Sequence, residues 1–257
     1  MTPVNDTVLA ALLAAVVAGL GGLLVPMLIA RVPEPEPAPE SEPAPEPEPA
    51  PESGAPADEP PKVLYADIAA RPGLGWRSAV VAAACGALLG AATGLDWPLV
   101  WLVPLTPVAV ALSVIDWHTR LLPRRIVVPA TLAAIVLVVV VGLATGEREA
   151  LVRALLGMVV ARSFFWVLWF VRSAGMGFGD VRLAAPVGLV LGWVGWGALA
   201  IGLWVGFMVF AVPAAALALV RRDRGVLKQS FPFGPFMVVG ALVGLVWGTA
   251  LTERIWG

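Results

Sequence analysis

Read from its N-terminus, the chain alternates long apolar runs with short polar breaks. Apolar stretches occupy 7–30, 77–94, 98–115, 126–145, 152–171, 183–195, 198–220 and 236–252. A bilayer core about 30 Å thick needs roughly 20 apolar residues to span it as a helix, and most of the runs approach that length. Residues 183–220 are too many for one span. Within them, Gly192-Trp193-Val194-Gly195-Trp196-Gly197 suits a tight turn at the membrane interface and divides the stretch in two. The pattern predicts an all-α, polytopic integral membrane bundle of about eight apolar runs.

Composition agrees. Apolar types make up 59% of the 257 residues and charged types 14%, against about 45–50% and about 25% in soluble domains. One cysteine, Cys85, and one histidine, His118, exclude an internal disulfide, a zinc ribbon and a multi-histidine metal site. No metal, cofactor or nucleic-acid partner is expected; the lipid bilayer is.

The formal net charge of −1 hides a segregation. Nine of the 18 acidic residues fall within 33–61, leaving nine acids against 17 basic residues elsewhere, a net of +8. Glu-Pro and Ala-Pro repeats dominate 33–61. Proline removes backbone donors and the glutamates repel one another, which predicts a semi-extended tether reaching about 90 Å at full extension. The first run follows Met1–Asp6, which has no basic residue, and it is long for a signal h-region; it reads as a retained anchor. The expected organisation is an N-terminal span (1–31), a Pro/Glu-rich tether (32–62) and a membrane-embedded bundle (63–257) that opens with an amphipathic stretch, Val63–Trp76. Glycine ladders at Gly86/Gly90/Gly94, Gly188/Gly192 and Gly240/Gly244/Gly248 predict close helix packing.

Charge sets an orientation. Basic residues cluster at Arg71/Arg77, Arg120/Arg124/Arg125, Arg172/Arg182 and Arg221/Arg222/Arg224/Lys228, while the alternate turns are short or mixed in charge. Alternation of the spans puts all four clusters on one side, which the positive-inside rule makes the cytoplasm.

Two acids stand apart from the rest. Asp116 closes an inward-running span, and Asp180 opens an outward-running one after Gly175-Met176-Gly177-Phe178-Gly179. Both fall at the same cytoplasmic boundary, where an acid is costly to desolvate and marks a functional candidate. The bland alternative pairs each with a neighbouring arginine, Arg120 or Arg182. The alternating glycines favour function, because they free the backbone for close approach by another chain. A phosphate-loop reading lacks the preceding strand and the lysine-serine ending.

Three motifs then occur in order: Asp116-Trp117-His118-Thr119-Arg120-Leu121-Leu122-Pro123, Gly177-Phe178-Gly179-Asp180 and Phe231-Pro232-Phe233-Gly234-Pro235-Phe236. Together they resemble the type IV prepilin peptidases and the related preflagellin peptidases, membrane aspartic peptidases with a G-x-G-D motif. The resemblance covers about residues 77–253. It implies catalytic Asp116 and Asp180, a backbone motif around the substrate of Gly177, Gly179, Pro123, Pro232 and Gly234, and prepilin-like membrane proteins with a short basic leader as substrates. Cleavage is then expected at the cytoplasmic edge of the plasma membrane. Many bacterial members carry a zinc-binding loop with paired CxxC motifs, linked to N-methylation. Here the proline tether takes that place, so methyl transfer is not expected. Arg124 and Arg182 stand where relatives often have Asn or Asp and Lys. His118 reads as passive. The competing readings are an ion- or proton-coupled transporter and an inactive scaffold of the same fold; the former predicts polar groups deeper in the spans than this sequence has.

Overall fold

All eight apolar runs are helical. The computed structural model describes residues 3–34, 63–171, 176–221 and 232–256, and among these no strand occurs. The helices are α1 (Pro3–Leu23), α2 (Val25–Ala30), α3 (Tyr65–Ala69), α4 (Leu74–Thr93), α5 (Leu99–Thr119), α6 (Arg124–Thr145), α7 (Arg148–Val171), α8 (Phe178–Val194), α9 (Trp196–Arg221) and α10 (Gly234–Trp256). Six of them, α1, α4, α5, α6, α7 and α10, are long and apolar enough to cross a membrane. The chain is a multi-pass membrane protein. Residues 35–62, Gly175, Phe231 and the basic residues Arg172, Arg222, Arg224 and Lys228 lie outside the described residues.

Local chemistry places the breaks. Glycine at positive φ opens α4 (Gly73, φ 79°) and ends both α4 (Gly94, φ 71°) and α6 (Gly146, φ 79°), a conformation that costs glycine nothing. Gly73 therefore divides the amphipathic stretch 63–76 between α3 and α4. Gly195 separates α8 from α9, inside the turn that the sequence pattern marks. The first run breaks at Leu24, one residue before α2 begins with Pro26 in its first turn.

Three helix pairs are zipped by glycine: α1 with α4, α7 with α8, and α9 with α10. A methyl built on Gly86 would lie 2.5 Å from the Ala14 carbonyl oxygen, one on Gly157 2.6 Å from that of Gly188, and one on Gly244 2.6 Å from that of Ala198. No side chain fits such seams, which is how small residues hold membrane helices together. Gly94 is an exception among the ladder residues: nothing lies within 4 Å of a Cβ there, and its place is the helix end. Helices α5 and α6 join the zipped pairs, and α5 touches α1, α4, α6 and α10.

The two ends of the 35–62 segment meet. The Glu34 carboxylate accepts hydrogen bonds from the N–H groups of Tyr65 (3.0 Å) and Ala66 (2.9 Å), satisfying two donors that a helix start otherwise leaves unpaired. Tyr65 and Ile68 of α3 are buried, and α3 rests against the C-terminal end of α5. At the opposite end of the bundle, Arg153 donates to the Gly192 (2.8 Å) and Trp193 (2.6 Å) carbonyls and so closes the C-terminus of α8.

Candidate active site

The last turn of α5 brings up Asp116 and the first turn of α8 brings up Asp180. They are 3% and 6% exposed, and are the buried acids among the described residues. Both line one cavity of about 570 Å³, within the roughly 300–1,000 Å³ of a ligand pocket. The charge of one acid acts on the other across it. The pairing of each acid with its neighbouring arginine is not seen: the Arg182 guanidinium lies 5.0 Å over the Phe178 ring, and Arg120 lines the cavity with no ion pair to Asp116.

Asp116 is held from a distance in sequence. Its Oδ2 accepts the Gly234 N–H at 2.8 Å, at the start of α10. A Cβ on residue 234 would lie 2.9 Å from that oxygen, so glycine is what lets the amide approach. Phe233 fixes this amide in place. It is 5% exposed and packs with ring centroids 5.7 Å from Phe165, 5.1 Å from Phe207 and 5.3 Å from Phe210. Pro232 is half-buried beside it. After Asp116, Arg120 adopts the left-handed conformation (φ 57°) and its N–H returns to the Asp116 carbonyl at 2.8 Å. The chain then turns through Leu121 and Leu122 to Pro123, the N-cap of α6.

Asp180 is held locally. It is the third residue of α8, with Gly177 at the N-cap. Its N–H donates to the Gly177 carbonyl at 3.1 Å, which closes the first turn of α8 on the N-cap residue. The two motif glycines do different things. Gly179 faces Leu122, where an added Cβ would come within 2.8 Å of the Leu122 Cβ, so the α8 start presses directly on the turn that follows Asp116. Gly177 is exposed, and a Cβ there would meet nothing closer than 3.8 Å; its backbone faces the cavity. Pro123 lines the same cavity, while Gly234 holds Asp116 through its N–H.

Four arginines, Arg120, Arg124, Arg125 and Arg182, line the cavity together with Glu34 and Tyr65. Burial, with the Glu34 charge, holds the Tyr65 hydroxyl above the ordinary tyrosine range. His118 points away from the cavity. Its Nδ1 meets the Val114 carbonyl at 2.8 Å and its Nε2 meets the Arg71 guanidinium. Helix α3 and the turn that follows it thus meet the end of α5 just past Asp116. Sequence reasoning missed Phe233, Leu122, Glu34 and Arg71 as supports of the site. Glu34 is one of nine acids in a repetitive stretch, and the others act only through contacts remote in sequence. No group of three or more His, Cys, Asp or Glu side chains is arranged to hold a metal among the described residues.

Residues 103–248 match the model of the type IV leader peptidase family. That span contains both acids and the three motifs. Relatives carry the name prepilin leader peptidase/N-methyltransferase. The one from Aeromonas hydrophila is 30% identical over 158 residues, covering 61% of this chain and 52% of the relative. The one from Stutzerimonas stutzeri is 30% identical over 180 residues, 68% of this chain and 60% of the relative. The one from Pseudomonas aeruginosa is 29% identical over 161 residues, 62% and 53%. The chain thus spans little more than half the length of the curated relatives it matches. No solved structure gives a significant match. With more than half of its residues inside the family match, and the two acids and their glycines within that part, the chain belongs to the type IV leader peptidase family.

Proposed function

We propose that the chain is a membrane aspartic endopeptidase. It removes the short basic leader of prepilin-like precursors, whether type IV pilins, Flp/Tad pilins or type II secretion pseudopilins, at the cytoplasmic face of the plasma membrane. The observation that carries this reading is the burial of Asp116 and Asp180 in the walls of one cavity, beside the exposed backbone of Gly177.

Two carboxyls that share a site do not both ionise easily, so they hold one proton between them. The ionised member takes a proton from a water as that water attacks the scissile carbonyl. The protonated member gives its proton to the carbonyl oxygen, forming a gem-diol. The first member then passes the water's proton to the leaving amine as the C–N bond breaks, and the second regains its proton from a gem-diol hydroxyl. Asp116 and Asp180 are the catalytic residues in this scheme and need no metal or cofactor. Gly177 offers backbone to the extended substrate. Gly234 positions Asp116, Gly179 and Pro123 set the distance between the two turns, and Pro232 shapes the approach to Gly234. The zinc-loop form of methyl transfer is not part of the proposal, since 35–62 contains no cysteine.

The cytoplasmic placement rests on the arginines gathered at this end of the bundle, which the positive-inside rule orients. The test is cleavage of a co-expressed prepilin-like precursor in membranes, followed by mass spectrometry of the product. The parent is expected to release the leader, and Asp116→Asn and Asp180→Asn, inserted at normal levels, to leave it intact. Cleavage by either variant would sink the reading.

A further inference from the structure

A second space lies deeper in the membrane-embedded part, among α4, α5, α6, α8 and α10. It is a pocket of about 120 Å³ whose walls are almost wholly apolar. The one hydroxyl in it, that of Thr106, is already bonded to the Leu102 carbonyl at 2.8 Å, so nothing in the pocket asks for a polar ligand. A cavity of about 150 Å³ with similar walls holds one benzene ring. This space therefore suits one branched or aromatic side chain and is too small for a whole lipid acyl chain.

Its position ties it to the acids. Leu112 lies one turn before Asp116 on α5, and Leu183 one turn after Asp180 on α8; both line the pocket. An occupant touches the two helices that carry the candidate dyad. The pocket is also reachable, because Cys85, Ala109, Ala130 and Leu242 on its walls are only half-buried. At 1.5 Å of rise per residue, Ala109 sits about 10 Å deeper than Asp116. A substrate whose peptide bond lies at the acids must run its apolar helix past this opening.

We propose that the pocket is a specificity subsite, filled by one large apolar side chain from the first turns of the substrate helix beyond the scissile bond. This rests on the peptidase reading. The subsite selects membrane substrates by an apolar anchor and sets how far the helix sinks relative to the acids, so that the correct peptide bond meets them.

The test uses the full chain in vesicles and a prepilin-like precursor in which each large apolar residue of those first turns is replaced by alanine in turn. With the parent enzyme, one position is expected to lose about tenfold or more in kcat/KM, the usual discrimination of an apolar pocket. In Ala130→Phe, which fills the pocket, the same replacement is expected to cost nothing further. The single native cysteine supplies a second readout that needs no filled variant. In Asp116→Asn, which retains uncleaved precursor, bound precursor should slow alkylation of Cys85 by N-ethylmaleimide several-fold, and the alanine version of the critical position should not. Equal cleavage of all versions by the parent, or alkylation that follows the lipid acyl chains and ignores the precursor, overturns the subsite and leaves the peptidase reading standing. A parent that cleaves no version overturns both.

Discussion

The two acids are held by opposite strategies. Asp180 sits in a socket made by its own neighbours, Gly177 and Gly179, within three residues of chain. Asp116 is held by an amide 118 positions away, Gly234, which is itself fixed by the packing of Phe233 against Phe165, Phe207 and Phe210. One socket forms as soon as α8 begins. The other exists only when α5, α7, α9 and α10 have assembled. Replacements near Asp180 should therefore act through local geometry, whereas replacements behind Asp116 should couple activity to the integrity of the bundle.

Gly234→Val breaks the distant socket most directly. The added bulk starts 2.9 Å from the carboxyl oxygen and displaces Asp116, so cleavage should fall by about 10²-fold or more, the loss that follows a misplacement of about 1 Å. The variant should still insert. Phe233→Ala comes next. It empties an aromatic cluster and should cost roughly 3 kcal/mol in resistance to unfolding by detergent or heat, with activity falling alongside as Gly234 loses its anchor. Gly179→Ala should cost less. The contact with Leu122 at 2.8 Å pushes the two turns apart, and an expected loss of about tenfold in kcat with little change in unfolding separates it from Phe233→Ala.

Two smaller effects sharpen the contrast. Arg120 is the non-glycine residue at positive φ among the described residues, a conformation that costs an L side chain roughly 1–2 kcal/mol. Arg120→Gly removes that cost and should raise the unfolding midpoint slightly, partly offset by the freer unfolded chain. Gly177→Ala should do least. Its φ is −73° and a Cβ meets only ordinary contacts at 3.8 Å or more, so stability should hold within about 0.5 kcal/mol while KM for a long substrate rises. Equal effects of Gly177→Ala and Gly179→Ala would show that the division of labour between them is wrong.

This division also explains what could be read from the chain alone. The eight runs became helices and the turn inside 183–220 came where its glycines suggest, because the length of an apolar run and the φ freedom of glycine are local properties. Asp180 was legible for the same reason: its socket is written in consecutive residues. Gly234 was named only as part of a backbone motif around the substrate; its bond to Asp116 was not legible, since a pairing of positions 116 and 234 leaves no periodic signal in either segment. Gly94 had the spacing of a packing glycine and serves as a helix end, because spacing records which face a residue occupies and not what lies opposite. Glu34 was hidden in an acidic repeat, and only the meeting of α2 with α3 distinguishes it from its neighbours.

The most direct test of the account is a double-mutant cycle on the acids themselves, with precursor cleavage measured in reconstituted vesicles for Asp116→Asn, Asp180→Asn and the pair. If the two carboxyls act as one unit, each single replacement should lose on the order of 10⁴-fold and the double should lose scarcely more, as members of a catalytic unit do. Losses that multiply in the double variant, or a single variant that keeps most of the parent rate, would contradict a shared dyad in this cavity.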